Sequence, residues 1–475
     1  MTNRAVRYSP LLAGLALFVM AWSVARACLQ AVTIDEADTY VALVAPGNLW
    51  AASANNHVLN TLLMRVSTAI FGASAFTLRL PALFGAALYL AAVYCLVRLI
   101  SPRRVLQGAL FVCLTCNPLV MDYLVAARGY SMAMAFLLWM VVLAARYREA
   151  KLVRTCVLIS LSAGLCVSAN FSFAIADALT AFALYIWIVR QHRGEYLKIL
   201  GALVFPGLAL GLAITGPVLP HWSRSQLTWG ADSLSQMVTG LIRSSVNSPL
   251  GTALYLTLSV LAVWRMTMLL LEMPVENQLQ PLANPLAVIC GTVWLAAVVC
   301  HEVLLLAYGI PLPLDRTALW LVLLFFVMAG AMAAPRLPSP AGRFSGHALA
   351  AILVLTAGYN LTCLRLTYFH EWKYDADIRN VYQVLAAYNH RDGLVSISAN
   401  WRYVAALNCY RLLSGRESFE QIPGPPAALG DYPTGYRAYV LYYPVDHDFI
   451  GRQGLRVVYH GEFTGAAVAV RPDPR

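Results

Sequence analysis

Thr33-Ile34-Asp35-Glu36-Ala37-Asp38-Thr39-Tyr40 sets three carboxylates within four residues, directly after the first long apolar run, Pro10 to Leu29. A carboxylate cluster at the mouth of a membrane span is costly to leave unsolvated or unpaired, so it either sits in the aqueous interface or lines a cavity there. In both cases it is the first place to look for chemistry. The apolar run ahead of it lacks a small-residue cleavage pattern and runs into acidic residues, which reads as a retained span and not a signal peptide.

Working outward, 60% of the 475 residues are hydrophobic and only 12% charged, against about 25% charged in ordinary soluble domains. With a mean hydropathy of +0.64, the chain reads as an α-helical polytopic membrane protein, long enough for roughly ten spans of about 20 residues and a separate domain. The net charge of +11 comes almost wholly from arginine, because Lys151, Lys198 and Lys373 are the only lysines. In such a chain that charge reads as orientation signalling and not as a nucleic-acid surface. Nearly all of the ten cysteines lie in apolar runs, so neither a disulfide framework nor a Cys-rich metal site is implied, and Cys113 and Cys116 read as packing.

Arg4 and Arg7 precede the first span, Arg98, Arg103 and Arg104 follow the second (Thr77–Leu96), and Arg146, Arg148, Lys151 and Arg154 separate the fourth from the fifth. The positive-inside rule puts all three sites in the cytoplasm. Further spans are expected at Val105–Val120, Gly129–Ala145, Leu152–Ala169, Phe173–Val189, Leu200–Leu219, Gly251–Leu271, Pro285–Ala307, Thr317–Ala334 and His347–Leu366, eleven in all. The Leu271–Asn284 connection, with Glu272 and Glu276, carries little topological signal. Eleven crossings from an inside amino terminus put the tail outside. The expected organisation is a transmembrane domain over 1–370, with an outer loop at 30–76, followed by a small extracytoplasmic α/β domain over 371–475.

Two helices are expected in the outer loop. Thr33 with Glu36 three residues on is a capping-box pattern, and between Asn55 and Phe71 the residues Leu59, Leu62, Leu63, Val66 and Ile70 recur at helical spacing opposite Asn56, Asn60 and Ser67. The second pattern reads as an interfacial amphipathic helix. In the tail, Ala376–Tyr388 and Trp401–Leu413 read as helices, and Leu394–Ser398, Ala438–Tyr443, Leu455–Tyr459 and Ala466–Val470 as strands. The Pro/Gly-rich Ile422–Gly435 reads as a loop.

Each candidate residue has a bland reading beside a chemical one. Glu36 closes the capping box or takes part in catalysis. Asp35, not needed for that cap, is a helix-dipole partner or a general base at the water–membrane boundary. Asp38 reads as a solvated surface charge. His57 is a polar interfacial histidine, a substrate donor, or, with Glu36, a ligand to a divalent cation, although no HxxxH or HxxE spacing supports a metal. His301-Glu302 falls inside a span, where ionisable groups are functional by default. Asp122 and Arg128 either pair with each other, or Arg128 binds a phosphate through its planar charged fork; Asp315-Arg316 has the same character. Trp50, Trp222 and Trp229 suit an aromatic belt or the stacking of sugar rings. No phosphate-loop or nucleophile-elbow motif occurs, so the energy for any reaction arrives with the substrate.

An acidic pair just after the first span, Asn56-His57-Val-Leu-Asn60 leading to Phe71-Gly-Ala-Ser-Ala-Phe-Thr-Leu-Arg79-Leu-Pro81, and Ala127-Arg128-Gly-Tyr130 opening a span together resemble the GT-C integral-membrane glycosyltransferases. The likeness is to the bacterial relatives of protein O-mannosyltransferases and of lipid A aminoarabinose transferases. It covers about the first third of the chain, with Pro313-Leu-Asp-Arg316-Thr-Ala-Leu319 more loosely similar. Asn55-Asn56-His57 replaces the usual His-Pro-Pro type segment, Ala126 stands where many relatives carry an acidic residue, and Asn170 where a histidine often ends the fifth span.

The resemblance implies a polyprenyl-phosphate sugar donor, transfer on the outer face of an inner (plasma) membrane, and Asp35 at the position of the catalytic aspartate. The expected activity is inverting transfer to a hydroxyl of a cell-envelope acceptor: a lipid-linked glycan, lipid A or a protein. Asp35, Glu36 and Asp122 are the expected catalytic residues, and His57, Arg79, Arg128, Tyr130 and Arg316 are expected to bind substrate. A divalent cation is left open. A transporter or flippase of lipid-linked sugars is the rival class, and a non-catalytic scaffold the third.

Overall fold

The computed structural model describes residues 9–472 apart from 54, 148–150, 193, 224–228, 273–282, 336, 393–395, 415–418 and 425–431. Arg4, Arg7, Arg148, Glu276 and Leu394, named above, lie outside the described residues. In chain order come α1 Pro10–Leu29, α2 Ile34–Asp38 continued by a π-helical turn to Val44, α3 Val58–Phe71, α4 Ala75–Ile100, α5 Arg104–Thr115, α6 Pro118–Tyr123 and α7 Tyr130–Ala145. Then follow α8 Leu152–Ala169, α9 Ala174–Gln191, α10 Tyr196–Thr215, α11 Leu234–Ser245, α12 Pro249–Glu272, α13 Ala283–Tyr308, α14 Leu319–Ala333 and α15 Pro340–Thr362.

Nine of the described helical segments (α1, α4, α8, α9 with the turn Phe171–Phe173 before it, α10, α12, α13, α14 with the turn Asp315–Ala318 before it, and α15) are long and apolar enough to cross a membrane. The protein is thus an α-helical, multi-pass membrane protein. Two of the eleven expected spans fall instead on the shorter α5 and α7. The first is cut at Asn117-Pro118, where the Asn117 side chain accepts from the amides of Leu119 and Val120 at 2.9 and 3.2 Å and starts α6 as a new helix. Its 12 residues reach about 18 Å at 1.5 Å each. Both short helices are largely buried in the bundle, where a broken backbone keeps its hydrogen-bond partners.

Small residues bring the helices together. A Cβ on Gly207 of α10 would stand 1.9 Å from the Ser160 carbonyl of α8, and the Gly207 amide donates to Ser160 Oγ at 2.7 Å, so only glycine permits this approach. Helix α3 carries the opposite sense of burial from a soluble surface helix. Asn60, Thr61 and Ser67 are buried against protein, while Val66, Ile70 and Phe71 are 52–67% exposed. The apolar face points outward, as an interfacial helix requires.

After α15 the chain folds into α16 Ile378–Asp392, β1 Ile397–Ala399, α17 Trp401–Leu413, β2 Ala438–Tyr442, α18 Tyr443–Arg452, β3 Arg456–His460 and β4 Ala466–Val470. The sheet order is β1-β2-β4-β3, with β1 and β2 parallel and the other pairs antiparallel. Only α18 was not expected from the sequence; Pro444 in its first turn starts it one residue after the strand. Ala31, Val32, Ala37, Tyr40, Met64 and Leu78 share one apolar cluster with Ile378, Tyr403, Leu407, Val440 and Val468. The α/β unit therefore packs its core directly onto the loop that follows α1.

One ion pair fastens these parts. Arg79 of α4 is fully buried and donates to both oxygens of Glu36 at 2.8 and 2.7 Å and to the carbonyls of Ala27, Gln30 and Ala31. Removing one partner of a buried pair strands the other charge, at a cost of about 3–5 kcal/mol. We expect Arg79→Ala to lower the unfolding temperature of the purified protein by several degrees; an unfolding temperature equal to that of the wild type contradicts this role.

Candidate active site

Asp35 is the second residue of α2. Its position is fixed from the main chain: the Ile34 amide donates to Asp375 at 2.8 Å, and the Asp35 carbonyl accepts from Thr39 Oγ1 at 3.0 Å and from Arg128 Nη1 at 3.2 Å. The carboxylate lies 3.4 Å from Arg316 Nη2 and 3.9 Å from Arg128 Nε, with its side chain 14% exposed. Oδ2 is buried and accepts no hydrogen bond among the described residues.

Arg128 is placed by the turn between α6 and α7. Gly129 is left-handed at φ 73°, and a Cβ there would stand 2.1 Å from the Ala169 carbonyl. On either side the main chain is pinned, by Ala127 N–H to Glu36 at 2.9 Å, Asn60 to the Ala127 carbonyl at 2.8 Å, and Asn170 to the Arg128 carbonyl at 3.3 Å. The guanidinium donates to Thr39 Oγ1 and to the carbonyl and side chain of Asn55, while Nε has no hydrogen bond among the described residues.

Arg316 sits in the 3-10 turn Asp315–Ala318 that opens α14. Asp315 adopts φ 49° there and accepts from Ser244 Oγ at 2.6 Å, a left-handed conformation that aspartate tolerates better than most residues. The Arg316 guanidinium pairs with Glu371 and lies 5.0 Å from the Trp229 ring centroid. Glu371 also accepts from the Tyr123 hydroxyl. Burial raises the Glu371 carboxyl above its ordinary range, with Arg316 pulling the other way.

Beside the two arginines lies a cavity of about 380 Å³ whose lining includes Asn55, His57, Arg128, Tyr130, Trp222 and Arg316. Asp35 stands against the guanidiniums and not on the cavity wall itself. His57, at the start of α3, is 7% exposed and packs edge-on to Tyr130 at 5.6 Å between centroids; its Nε2 is buried without a partner. Burial, with Arg128 and Arg316 adding to it, holds the imidazole well below its ordinary pKa, so it is neutral at physiological pH. His301 also lines the cavity, stacked on Trp320 at 5.8 Å, and the neighbouring Glu302 keeps one buried oxygen without a partner. Trp229 joins the lining, whereas Trp50 is 42% exposed and donates to the Ile214 carbonyl.

The structure thus brings together Asp35, His57, Arg128, Tyr130 and Arg316. It places Glu36, Arg79 and Asp122 elsewhere. The Glu36 carboxylate takes two hydrogen bonds from Arg79 and one each from the amides of Thr33 and Ala127, which fills its lone pairs and leaves none for a cation shared with His57. Arg79 directs its donors at Glu36 and main-chain carbonyls. Asp122 pairs with Arg26 at 2.5 Å and Arg365 at 3.5 Å and accepts from the His370 amide at 2.7 Å, in place of the pairing with Arg128 considered above. Among the described residues, no group of three or more His, Cys, Asp or Glu side chains has a metal-holding arrangement. Sequence reasoning missed Glu371, Asp375 and Tyr123, which support the site from segments far away in the chain.

No family model and no curated protein matches this sequence. Solved structures align with it along most of its length. ArnT from Cupriavidus metallidurans in the apo state is 13% identical, with 97% of each chain covered and a TM-score of 0.46. The same protein bound to undecaprenyl phosphate is 10% identical over 97% of each chain, at 0.45. The arabinosyltransferase EmbB from Mycobacterium smegmatis is 12% identical at 0.48, covering 88% of this chain and 44% of that one. Likenesses at this level carry no argument about activity, which rests on the site.

The neutral state of His57 has a consequence for stability. In the unfolded chain the imidazole titrates near its ordinary value, so below about pH 6.5 the unfolded state binds a proton that the folded site excludes, and stability falls as pH falls. Between about pH 7.5 and 5.5 the wild type should lose more unfolding temperature than His57→Gln; equal losses contradict a buried, neutral His57.

Proposed function

We propose that the chain is an integral-membrane glycosyltransferase of the GT-C kind. It moves a sugar from a polyprenyl-phosphate donor to a hydroxyl of a cell-envelope acceptor, with the α/β unit and the cavity on the non-cytoplasmic side. The observation that carries this reading is the single constellation at the cavity edge: an acidic oxygen without a hydrogen bond, held at 3.4 and 3.9 Å from two guanidiniums. The basic residues Arg98, Arg103, Arg104 and Arg146 cluster near helix ends in the sequence, which supports a cytoplasmic assignment for those ends.

In this reading the donor phosphate lies against Arg128 and Arg316, whose forks suit a phosphate. Asp35 accepts the proton of the acceptor hydroxyl as its oxygen bonds to the anomeric carbon. The bond from that carbon to the phosphate oxygen breaks, its electron pair leaves with the polyprenyl phosphate, and the anomeric configuration inverts. The arginines stabilise the charge that grows on the departing oxygen. His57, with a free ring nitrogen, and Tyr130 border the sugar. Glu36, Arg79 and Asp122 build the frame and take no part in the chemistry.

Asp35→Asn is nearly isosteric and removes only the base. With purified protein, a polyprenyl-phosphate sugar and a hydroxyl acceptor, the substitution should lower kcat by about 10²–10⁴-fold while the unfolding temperature stays within a degree or two of wild type. Undiminished turnover by Asp35→Asn contradicts the assignment.

A further inference from the structure

Resting on the transferase reading, we propose that the cavity takes a single uncharged sugar and discriminates against one bearing an ammonium group. Its described lining carries two guanidiniums and no carboxylate. The acids beside the arginines, Asp35 and Glu371, both stand against Arg316, and Glu302, which follows the lining His301 in the chain, is not itself among the described lining residues.

A phosphate answers this positive charge once. An ammonium on the sugar would add a third cation next to two guanidiniums, and would lose its water without meeting a carboxylate on the described wall. Hydroxyl groups meet a different wall. The buried Nε2 of neutral His57 has no partner and is able to exchange a hydrogen bond with a hydroxyl, a role in which a charged imidazole could only donate. Phe171 and Trp222, 4.7 Å apart between centroids, give the lining an aromatic wall suited to the C–H face of a sugar ring. At about 380 Å³ the cavity is near the lower end of the range of ligand sites, roughly 300–1,000 Å³, which suits one ring and its phosphate.

The test uses the full-length protein in lipid nanodiscs and two synthetic polyprenyl-phosphate donors of one skeleton. One carries an amino group, and the other a hydroxyl in its place. At about pH 6.5 the amine is protonated. Two quantities are read: kcat/KM for transfer to a hydroxyl acceptor, and, independently, Kd from quenching of tryptophan fluorescence during donor titration. The hydroxylated donor should be favoured by at least about tenfold in both, a ratio within reach of a site that leaves a polar group without its partner. Equal Kd values, or tighter binding of the amino donor, overturn the charge rule. Absence of turnover with both donors sinks the transferase reading alone, because the Kd ratio still decides the rule; failure of both donors to bind at all overturns both.

Discussion

The buried pair Glu36–Arg79 is the constraint on which the rest of the site depends. Two charges taken out of water cost several kcal/mol each unless their hydrogen-bonding capacity is filled, and here it is filled by residues from separate parts of the chain. Glu36 receives Arg79 of α4, the Thr33 amide at the start of α2 and the Ala127 amide ahead of α7. The residues next to these contacts are the ones that meet at the cavity. Successive residues of a helix point about 100° apart, so turning Glu36 inward turns Asp35 sideways. Fixing the Ala127 amide likewise fixes the Arg128 that follows it.

Two further carboxylates extend the same logic to the segment after the last span. Asp122 binds Arg26 of α1, Arg365 and the His370 amide, which sets the path of the chain so that Glu371 reaches Arg316 and Asp375 reaches the Ile34 amide. Tyr410 of α17 accepts from the Val32 amide at 3.1 Å. The α/β unit is therefore part of the wall that holds Asp35 and Arg316 in place. A loosened joint at Asp122 would act on the site without touching it. Side chains locked by this kind of supporting shell present a fixed charge pattern to whatever enters.

Much of this was legible in the sequence. The capping box at Thr33 and Glu36 was readable because both partners lie within one helical turn, and it forms as expected. Helix α17 matches its expected bounds, and β2 and β4 are close to theirs, because apolar spacing and flanking turn residues are local signals. The span expected at Val105–Val120 came out short because Asn117-Pro118 interrupts an apolar run whose hydropathy alone does not show the break. The charged residues were harder. Asp35, Glu36 and Asp122 are alike in composition and position near a span end, and only their partners separate them: Glu36 and Asp122 meet arginines that are not on the cavity wall, Asp35 two arginines that line it. Those partners lie 43 to 281 residues away along the chain, a distance over which one sequence carries no pairing signal. Glu371 was missed for the same reason: its partners Arg316 and Tyr123 lie 55 and 248 residues away.

The most direct measurement of the central claim is a mass-spectrometric comparison of envelope glycolipids and glycoproteins from cells carrying the intact gene and cells carrying the Asp35→Asn form at equal protein level. A transferase with its base at Asp35 predicts that one sugar-sized mass increment disappears from the acceptor pool while the polyprenyl-phosphate sugar accumulates. An unchanged acceptor pool, with no build-up of the lipid-linked sugar, would contradict the account.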